Sequence, residues 1–410
     1  MSTAVTTFKP RRSAPTLASA QTRDRWVKRR VTTVWGLLIL NCITFTAGAP
    51  LLVPIPHRIG ELVSQGSLPL ALLLAITVNR KLVIRPNLFL CLETLLVIEA
   101  LVTTFEQVHL GSVYRIFRFA EFIAVLWLLT PWWGRSDLLL LRAHVRWLWV
   151  LLGSVTIGLL LHPGKAYSGG RLIDIVWPVQ ATEVGHYAAV AIGLAVVMWL
   201  GGLQRGRTTL CVLAVAGVLL LLSHTRTSAI AMLAGILIAG VSLFATRDRA
   251  RKFFAVSGGV LSVVIVTAAS VITTWLDRGQ SGTQLTSLTG RTDFWGMVIH
   301  FPRDRFQEIF GFGLSNVSVN GLPIDSNWLV AYMQMGLFGA VICGVVVLFL
   351  LVTAFFQPPS PQRALALFLI TYCLVASFTQ VGFADVTTYL LEITLAMSLL
   401  VPSAESRQPA

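Results

Sequence analysis

The chain has 410 residues, of which 55% are apolar and only 12% are charged, and its mean hydropathy is +0.76. A soluble domain carries about 25% charged residues, because water must solvate most of its surface. The composition therefore excludes an ordinary soluble protein and predicts an all-α fold, a polytopic bundle of transmembrane helices. The formal net charge of +14 is also typical of nucleic-acid-binding proteins, so the positions of the charges decide what it means.

A basic tail, residues 1–30, opens the chain and is rich in Ser, Thr and Ala, a composition typical of disorder. Residues 31–402 form the predicted bundle, and residues 403–410 form a second short tail. Because a membrane span needs about 20 mostly apolar residues, the apolar runs predict about twelve spans. Their ranges are 32–53, 62–79, 88–105, 114–131, 147–162, 186–203, 208–223, 227–245, 253–275, 327–355, 364–381 and 387–402.

The basic residues collect in the N-terminal tail and in alternate loops, which carry for example Arg80, Arg142 and Arg247. Loops rich in Lys and Arg stay in the cytoplasm, so both termini are predicted to be cytoplasmic. The charge therefore indicates topology and an attraction to anionic membrane lipids, and no nucleic-acid partner is expected. The cysteines all lie in apolar runs without a CxxC pair, so we expect neither a metal site nor a disulfide framework.

The longest stretch outside the predicted spans is residues 276–326, a large loop on the outer side. Within it, SLTGRTDFWGMVIHF predicts a short amphipathic helix with an apolar face of Trp295, Val298 and Ile299. Arg291 stands beside the start of this helix, where backbone N–H groups and a guanidinium favour an anion. The alternative is a surface arginine next to a helix cap.

A second candidate anion site is the tight turn in LLSHTRTSAIAML, between two spans on the outer side. Arg226 lies in the polar insert of this turn and is followed by Thr227 and Ser228. A lone arginine at a membrane edge often extends to lipid headgroups, which is the alternative. The density of hydrogen-bonding groups in so short a turn favours phosphate binding.

Two further groups of polar residues stand at outer span ends. Arg171 and His186 belong to the loop after the fifth span and the start of the next, and His186 is equally an interfacial histidine or a participant in binding. Arg115 and Arg118 share one helix face, with Glu121 nearby. An ion pair between Arg118 and Glu121 inside the bundle and a role in substrate binding are both open.

Carboxylates near the outer side are few. Asp325 stands where the chain re-enters the membrane from the large loop, placed to accept a proton from a hydroxyl on that face. Its alternative role is the N-cap of the following helix. Glu93 and Glu99 lie within the third predicted span, where they either pair with arginines or relay protons.

Four segments, in chain order, resemble those of the bacterial O-antigen ligase and Wzy-type O-antigen polymerase superfamily. They are the arginine-containing turn LLSHTRTSAIAMLAG, the Gly-Arg-x-x-x-Trp stretch TGRTDFW, the Gly-x-Gly segment IFGFGLSNV and the loop-end segment DSNWLVAYMQMGLFGAV. In the last segment, Gly336 follows Asp325 after the separation seen in that family. RLIDIVWPVQATEVGHYAAV is a fainter match, so the resemblance covers about residues 165–345.

The resemblance implies a metal-independent glycosyl transfer, without a cofactor, on the outer face of the bacterial cytoplasmic membrane. The donor would be a glycan on a polyprenyl diphosphate, the acceptor a hydroxyl of a glycan or lipid, and other polysaccharide-assembly proteins would be partners. Arg226 and Arg291 would hold the diphosphate together with Arg171. Asp325 stands where the ligase branch has His, which favours a polymerase over a ligase and makes Asp325 the candidate base.

A secondary transporter or flippase of lipid-linked sugars or other anions is the main alternative, because it shares the spans and the intramembrane charges. Transporters often contain inverted repeats with broken helices, and the sequence shows no convincing internal repeat. Another class of lipid-linked-sugar glycosyltransferase carries acidic motifs in its first outer loop. Here that loop, residues 54–61, offers Glu61 alone.

Overall fold

The computed structural model describes residues 17–43, 45, 48, 50–106, 110–259, 267, 291–314, 318–319, 322–380 and 382–402. The tail 403–410, the first part of the tail 1–30, most of the predicted span 253–275 and residues 276–290 of the predicted loop lie outside this part of the chain. The chain is 76% helical with almost no sheet, so the predicted helical bundle is confirmed.

The elements follow one another as helices joined by short connections, with two small antiparallel hairpins, β1–β2 and β3–β4. They are α1 (Leu17–Cys42), α2 (His57–Val78), α3 (Leu88–Glu106), α4 (Leu110–Leu129), a 3-10 turn (Thr130–Trp132), α5 (Leu139–Leu161), α6 (Pro163–Ala166), β1 (Tyr167–Ser168), β2 (Arg171–Leu172), α7 (Ala181–Leu200), α8 (Gly206–Ser223), α9 (Arg226–Phe244), α10 (248–259), α11 (Arg291–Ile299), α12 (Arg305–Phe310), β3 (Ser318–Val319), β4 (Leu322–Pro323), α13 (Asn327–Phe356), α14 (Pro361–Ala376) and α15 (Thr388–Leu400).

Each predicted span overlaps one of these helices, and the span 253–275 does so through its residues 253–259 in α10. By length and composition, six helices in the described part of the chain are able to cross a membrane: α2, α5, α7, α8, α9 and α13. Helices α14 and α15 are apolar but shorter. The chain is therefore a helical membrane protein, and the count of about twelve spans stays a prediction.

The first helix differs from its prediction at both ends. It begins at Leu17 and ends at Cys42, so residues 17–30 are helical and the prediction of a disordered tail is wrong for them. An ion cluster holds this extension: Lys28 Nζ lies 2.8 Å from Asp24 and 3.0 Å from Asp137, and Arg135 Nη2 lies 3.0 Å from Asp137. Lys28 and Arg135 hold the pKa of Asp24 below its ordinary value.

Helix α7 is the centre of the bundle. Of its most apolar stretch, 83% is buried, whereas the other five long helices are 28–39% buried. Small residues allow its neighbours to approach closely, as is common between membrane helices. Phe368 of α14 packs over Gly193 of α7 and Gly235 of α9, where an added Cβ would lie 1.9 Å and 2.7 Å from the ring.

Consecutive long helices alternate in direction. Arg30 in the middle of α1 donates to Thr77 near the end of α2 at 2.9 Å, and Asn41 near the end of α1 donates to Ser64 O in the first half of α2 at 3.0 Å, so the two helices are antiparallel. The bundle therefore has two ends. We call the end where α1 finishes and α7 begins the cavity end, and the opposite end, which carries Arg135, the basic end.

Helix α13 is broken near its start, at the cavity end. Gly336 has φ +62° and ψ −161°, which interrupts the helical hydrogen bonding. The amides of Phe312 and Gly313 donate to Met333 O and Gln334 O, each at 2.9 Å, so the chain after α12 satisfies the carbonyls at the break. Gly311 packs closely against the backbone of Gln334 and Gly336 at this break, so the IFGFG and GLFG segments are in direct contact.

The short helix α11 confirms the predicted helix in SLTGRTDFWGMVIHF and two of the three residues of its predicted apolar face. Val298 is buried, together with Phe294, against Ile324 and Val330, and Trp295 packs against the same cluster. Ile299 was predicted on this face and is 52% exposed, so the prediction is wrong for this residue. Phe294 takes part instead, because it lies one turn before Val298 on the same side of the helix.

Candidate functional site

A cavity of about 580 Å³ opens at the cavity end of the bundle. The ends of α1, α2, α4, α7 and α15 line it, together with the segments before α13 and α15. Four residues singled out from the sequence lie in its wall: Arg115, Arg118, His186 and Asp325. These residues are up to 210 positions apart in the chain, and the alternating direction of the helices brings them to one end.

Arg118 is fixed to the end of α1. Its Nε donates to Asn41 Oδ1 at 2.9 Å, and its Nη2 donates to Asn41 O. Asn41 lies in the last turn of α1, whose unpaired carbonyls favour a cation. The alternative pairing of Arg118 with Glu121 is therefore wrong, because Asn41 takes that place. Arg115 lies one turn before Arg118 on the same helix and lines the same cavity.

Carboxylates line the same cavity as these arginines. Asp325, Glu183, Asp385 and Glu61 all line it, so the cavity carries both signs of charge. Asp325 is not the cap of α13, because the helix begins at Asn327 with Ser326 in the N-cap position. Glu183 Oε2 accepts a hydrogen bond from the Gln180 amide at 3.4 Å, at the start of α7.

His186 forms part of the cavity wall, but its ring nitrogens face the interior. Nε2 lies 2.8 Å from Glu392 Oε1, and Nδ1 lies 2.9 Å from the Tyr372 hydroxyl. The Tyr389 ring stacks 4.3 Å from the imidazole. Because both nitrogens lie against polar groups within the bundle, direct binding of a ligand by His186 would require the ring to leave one of these contacts.

Glu392 and His144 are buried polar residues that the sequence reasoning missed. Glu392 is fully buried in α15, and His144 Nε2 of α5 lies 4.0 Å from the same carboxylate oxygen. Trp35 Nε1 donates to His144 Nδ1 at 3.2 Å. A lone Glu inside the last apolar run was the available signal, since a buried charge in a membrane bundle needs a partner.

The other predicted arginines lie at a neighbouring turn rather than in the cavity wall. Arg171 of β2 donates from Nε to Ser223 O at 3.0 Å and from Nη2 to Thr225 Oγ1 at 3.4 Å. This turn joins α8 to α9, and α9 begins at Arg226. Partial burial lowers the pKa of Arg171 from its ordinary value, and a guanidinium still keeps its charge at neutral pH.

The turn is joined to the cavity by two hydrogen bonds. Thr225 Oγ1 donates to Ala181 O at 3.2 Å, next to the cavity residue Thr182. Thr379 Oγ1 donates to Thr227 Oγ1 at 2.8 Å, next to the cavity residue Gln380. The arginine-bearing turn and the cavity therefore form one continuous region.

Asn327 organises the segment that closes this region. The side-chain oxygen of Asn327 accepts hydrogen bonds from the backbone amides of Gly382 and Phe383 at 3.1 and 2.6 Å. The backbone amide of Asn327 donates to Ser377 O at 2.9 Å. This connection before α15 supplies Asp385 to the cavity. The sequence did not indicate Asn327, because both of its amide donors lie more than fifty residues away in the chain.

Three other predicted positions have different outcomes. Helix α11 begins at Arg291, whose side chain lies outside the described part of the structure. Glu93 and Glu99 are buried in α3, and within the described residues neither carboxyl has a hydrogen-bond partner, so their predicted pairing with arginines is wrong. In the described ranges no group of three or more His, Cys, Asp or Glu residues could hold a metal ion.

Fold and site together define a helical membrane protein with a polar cavity at one end of its bundle. No family model matches the chain, and a search among curated proteins finds no relative. The interpretation of the cavity therefore depends on its own residues and on the motif resemblance.

Proposed function

We propose that the chain is a membrane glycosyltransferase of the O-antigen ligase and polymerase type, with polymerase favoured over ligase. It would transfer a glycan from a polyprenyl diphosphate to an acceptor hydroxyl during assembly of a cell-surface polysaccharide. The observation that carries the proposal is the cavity that Arg115, Arg118 and Asp325 line, together with the hydrogen bonds that tie the turn of Arg226 to the segments beside that cavity. The resemblance assigns Arg226 and Asp325 to the reaction.

The size and charge of the region suit this chemistry. A cavity of about 580 Å³ lies within the range of about 300–1,000 Å³ typical of small-ligand sites, enough for a few sugar units and a diphosphate. Arginines at its wall and at the adjoining turn offer bidentate partners for phosphate oxygens. Carboxylates that line the cavity are available to an acceptor hydroxyl.

The reaction would proceed as one substitution at the anomeric carbon of the donor. The acceptor oxygen forms a bond to that carbon, and the bond to the diphosphate oxygen breaks with its electron pair on the leaving group. The proton of the acceptor hydroxyl passes to the Asp325 carboxylate. The arginines stabilise the negative charge that develops on the diphosphate.

The topology that accompanies this proposal places the basic end in the cytoplasm and the cavity on the outer face of the bacterial cytoplasmic membrane. The clustering of Lys and Arg in alternate connections supports that orientation. This topology also includes about twelve spans, both termini in the cytoplasm and the large loop 276–326 on the outer side.

Deletion of the gene, followed by analysis of surface glycan length, tests the proposal. A polymerase predicts loss of long chains with single-unit chains remaining, and a ligase predicts full-length polymer left on the lipid carrier. An unchanged glycan pattern would refute both. In the deletion strain, Arg226→Gln should lower long-chain glycan at least tenfold, which corresponds to about 1.4 kcal/mol of transition-state stabilisation.

Matched controls separate loss of chemistry from loss of folding. Lys165→Gln changes an exposed cation on the same side and should leave the glycan unchanged. Asp325→Asn is nearly isosteric and should abolish polymer at wild-type protein levels. If Asp325→Asn kept full polymer formation at normal expression, Asp325 would not be the base.

Proton-coupled transport of a lipid-linked sugar or another anion is a second candidate, which the buried network around Glu392 favours. Ionisable groups inside a membrane bundle commonly mark proton pathways. Reconstitution in vesicles with a polyprenyl-diphosphate glycan separates the candidates. Release of free polyprenyl diphosphate indicates transfer, whereas movement of an intact donor between leaflets indicates a flippase.

A further inference from the structure

An apolar groove of about 450 Å³ lies between α9, α13 and α14 at the basic end of the bundle. Helices α9 and α13 both begin beside the cavity, so their last turns lie at the opposite, basic end, where α14 begins. The walls of the groove are mainly the apolar side chains of Ile238, Val241, Leu351, Val352, Phe355 and Leu367.

The rim of the groove faces the surroundings of the bundle. Val241 is 59% exposed and Phe355 is 71% exposed. Exposed apolar side chains on membrane helices contact the hydrocarbon chains of lipids, so a lipid chain is the natural occupant of this groove. Because a lipid tail is as apolar as leucine, the apolar walls alone do not select one lipid over another. Selectivity must come from polar groups.

Two polar side chains, Arg363 and Ser242, line the groove. Arg363 Nε and Ser242 Oγ are buried, and within the described residues neither atom has a hydrogen-bond partner. Other helix serines behave differently: Ser223 and Ser398 each donate to the carbonyl three residues before at 2.7 Å. Buried polar atoms are normally hydrogen-bonded, so these two atoms point to a ligand that bonds to both.

The same two side chains lie at one level of the bundle. Gly235 of α9 packs against Phe368 of α14. Ser242 follows Gly235 toward the basic end, and Arg363 precedes Phe368 toward the same end. With a rise of about 1.5 Å per residue, both lie about 7–11 Å beyond that contact. One headgroup can therefore reach both.

The charge of the groove favours an anion. In the described part of the chain no carboxylate lines the groove, so Arg363 gives it one positive charge. The connection 357–360, between α13 and α14, also contains no acidic residue. A guanidinium offers paired N–H donors that match phosphate oxygens. Basic pockets between membrane helices bind anionic headgroups for this reason.

Helix α10 packs on another side of α9. Phe254 of α10 covers Gly240, where an added Cβ would lie 2.7 Å from the ring. Successive residues of an α-helix are about 100° apart, so Gly240 and Ser242 point about 160° apart. The groove therefore opens on the side of α9 that faces away from α10.

We propose that this groove binds one anionic phospholipid. An acyl chain lies along the apolar walls, and the phosphate accepts hydrogen bonds from Arg363 and Ser242. A zwitterionic headgroup binds less well, because its ammonium group offsets the phosphate charge beside the guanidinium. The site lies at the opposite end from the cavity and does not depend on the proposed glycosyl transfer.

Lipid retention by the full-length protein tests the site. The protein is reconstituted in vesicles of phosphatidylglycerol and phosphatidylcholine in equal amounts and extracted in mild detergent, and native mass spectrometry identifies the bound lipid. The wild type should retain one phosphatidylglycerol in preference to phosphatidylcholine. Arg363→Gln should lower that retention about fivefold, which corresponds to about 1 kcal/mol per basic residue near an anionic headgroup. Arg207→Gln, which removes an exposed arginine from the first turn of α8 at the same end, should leave it unchanged.

A second pair of variants tests the position of the acyl chain. Val352→Trp fills the groove and should also lower retention at least fivefold. Val345→Trp changes the same residue type two turns earlier on the same face of α13, at 40% rather than 44% exposure, and should have no effect. Melting curves in phosphatidylcholine should match that of the wild type, which checks folding. Ser242→Ala, a milder change, should lower retention less than Arg363→Gln does, because a neutral hydroxyl bonds phosphate more weakly than a guanidinium.

A photoreactive phenylalanine analogue at position 355 identifies the occupant directly. Attachment to phosphatidylglycerol supports the proposal, whereas attachment to residues 260–290 of the same chain or to a second copy would overturn it. Equal retention of the two lipids by the wild type, or equal loss in Arg363→Gln and Arg207→Gln, would also overturn it. Displacement of the lipid by inorganic phosphate would reduce the site to one for free anions and refute the role of the groove.

Discussion

Replacement of Gly336 by alanine should destabilise the protein more than any other single methyl addition in α13. The backbone of Gly336, at φ +62° and ψ −161°, lies in a region that is essentially restricted to glycine, and another residue there costs about 1–3 kcal/mol. A Cβ would also lie 2.3 Å from the carbonyl carbon of Ile309, in backbone that has no flexible end to move.

Relief of that clash requires α12 to move away from the break. The two 2.9 Å hydrogen bonds from Phe312 and Gly313 would then be lost, at about 0.5–1.5 kcal/mol each. The total cost is about 2–6 kcal/mol, within the range of backbone-strain substitutions. Gly344→Ala is the matched control, because its Cβ would meet the Trp328 ring at 4.0 Å within regular helix. We expect it to be neutral or stabilising by up to about 1 kcal/mol.

Denaturant unfolding of the purified protein in detergent micelles measures both free energies. A Gly336→Ala protein that unfolds within about 0.5 kcal/mol of wild type would refute this reasoning, since surface substitutions alone give changes of that size. Cleavage by protease between residues 301 and 313 should also become faster in Gly336→Ala. It should be unchanged in Gly344→Ala.

Further predictions concern the core, a buried acid and the reaction itself. Phe368→Ala should cost about 3–5 kcal/mol in unfolding free energy, whereas Phe378→Ala, at a position 53% exposed, should cost little. Burial raises the pKa of Asp174, so its stabilising effect is present below the ordinary value of 3.8 and is lost as pH rises through the folded value. The melting temperature of the Asp174→Asn variant should therefore rise relative to that of the wild type as pH increases. A difference in melting temperature that stays constant with pH would contradict this prediction. His186→Gln should lower the rate of glycosyl transfer less than Asp325→Asn does, because both ring nitrogens of His186 face partners in the interior whereas Asp325 lines the cavity.

The helices were predictable where chain-local signals define them. The turn between α8 and α9 follows from its polar insert, and α9 begins at Arg226 as the apolar pattern requires. The extension of α1 to Leu17 was not predictable, because Arg135, which lies 3.5 Å from Asp24, is 111 residues away in the chain. A charged segment acquires helical order from a partner that no local pattern identifies.

The membership of the candidate site was predictable in part, whereas the pairing of its residues was not. Arg115, Arg118, His186 and Asp325 were identified as costly polar residues at span ends, and all four line one cavity. Their partners depend on which helices are adjacent in space. The pairing of Arg118 with Asn41, rather than with its neighbour Glu121, illustrates this, since helix spacing alone favoured the local partner.

The contacts of His186 narrow the chemistry proposed for the cavity. Its Nε2 lies 2.8 Å from Glu392 Oε1 and its Nδ1 lies 2.9 Å from the Tyr372 hydroxyl, so both ring nitrogens face the interior rather than an acceptor hydroxyl in the cavity. The candidate base is then a carboxylate of the cavity wall, and the resemblance favours Asp325. A histidine-dependent mechanism and a carboxylate-dependent mechanism differ in one measurable way. The first loses activity on acidification through about pH 6.5, and the second keeps it until carboxylates protonate, at about pH 4.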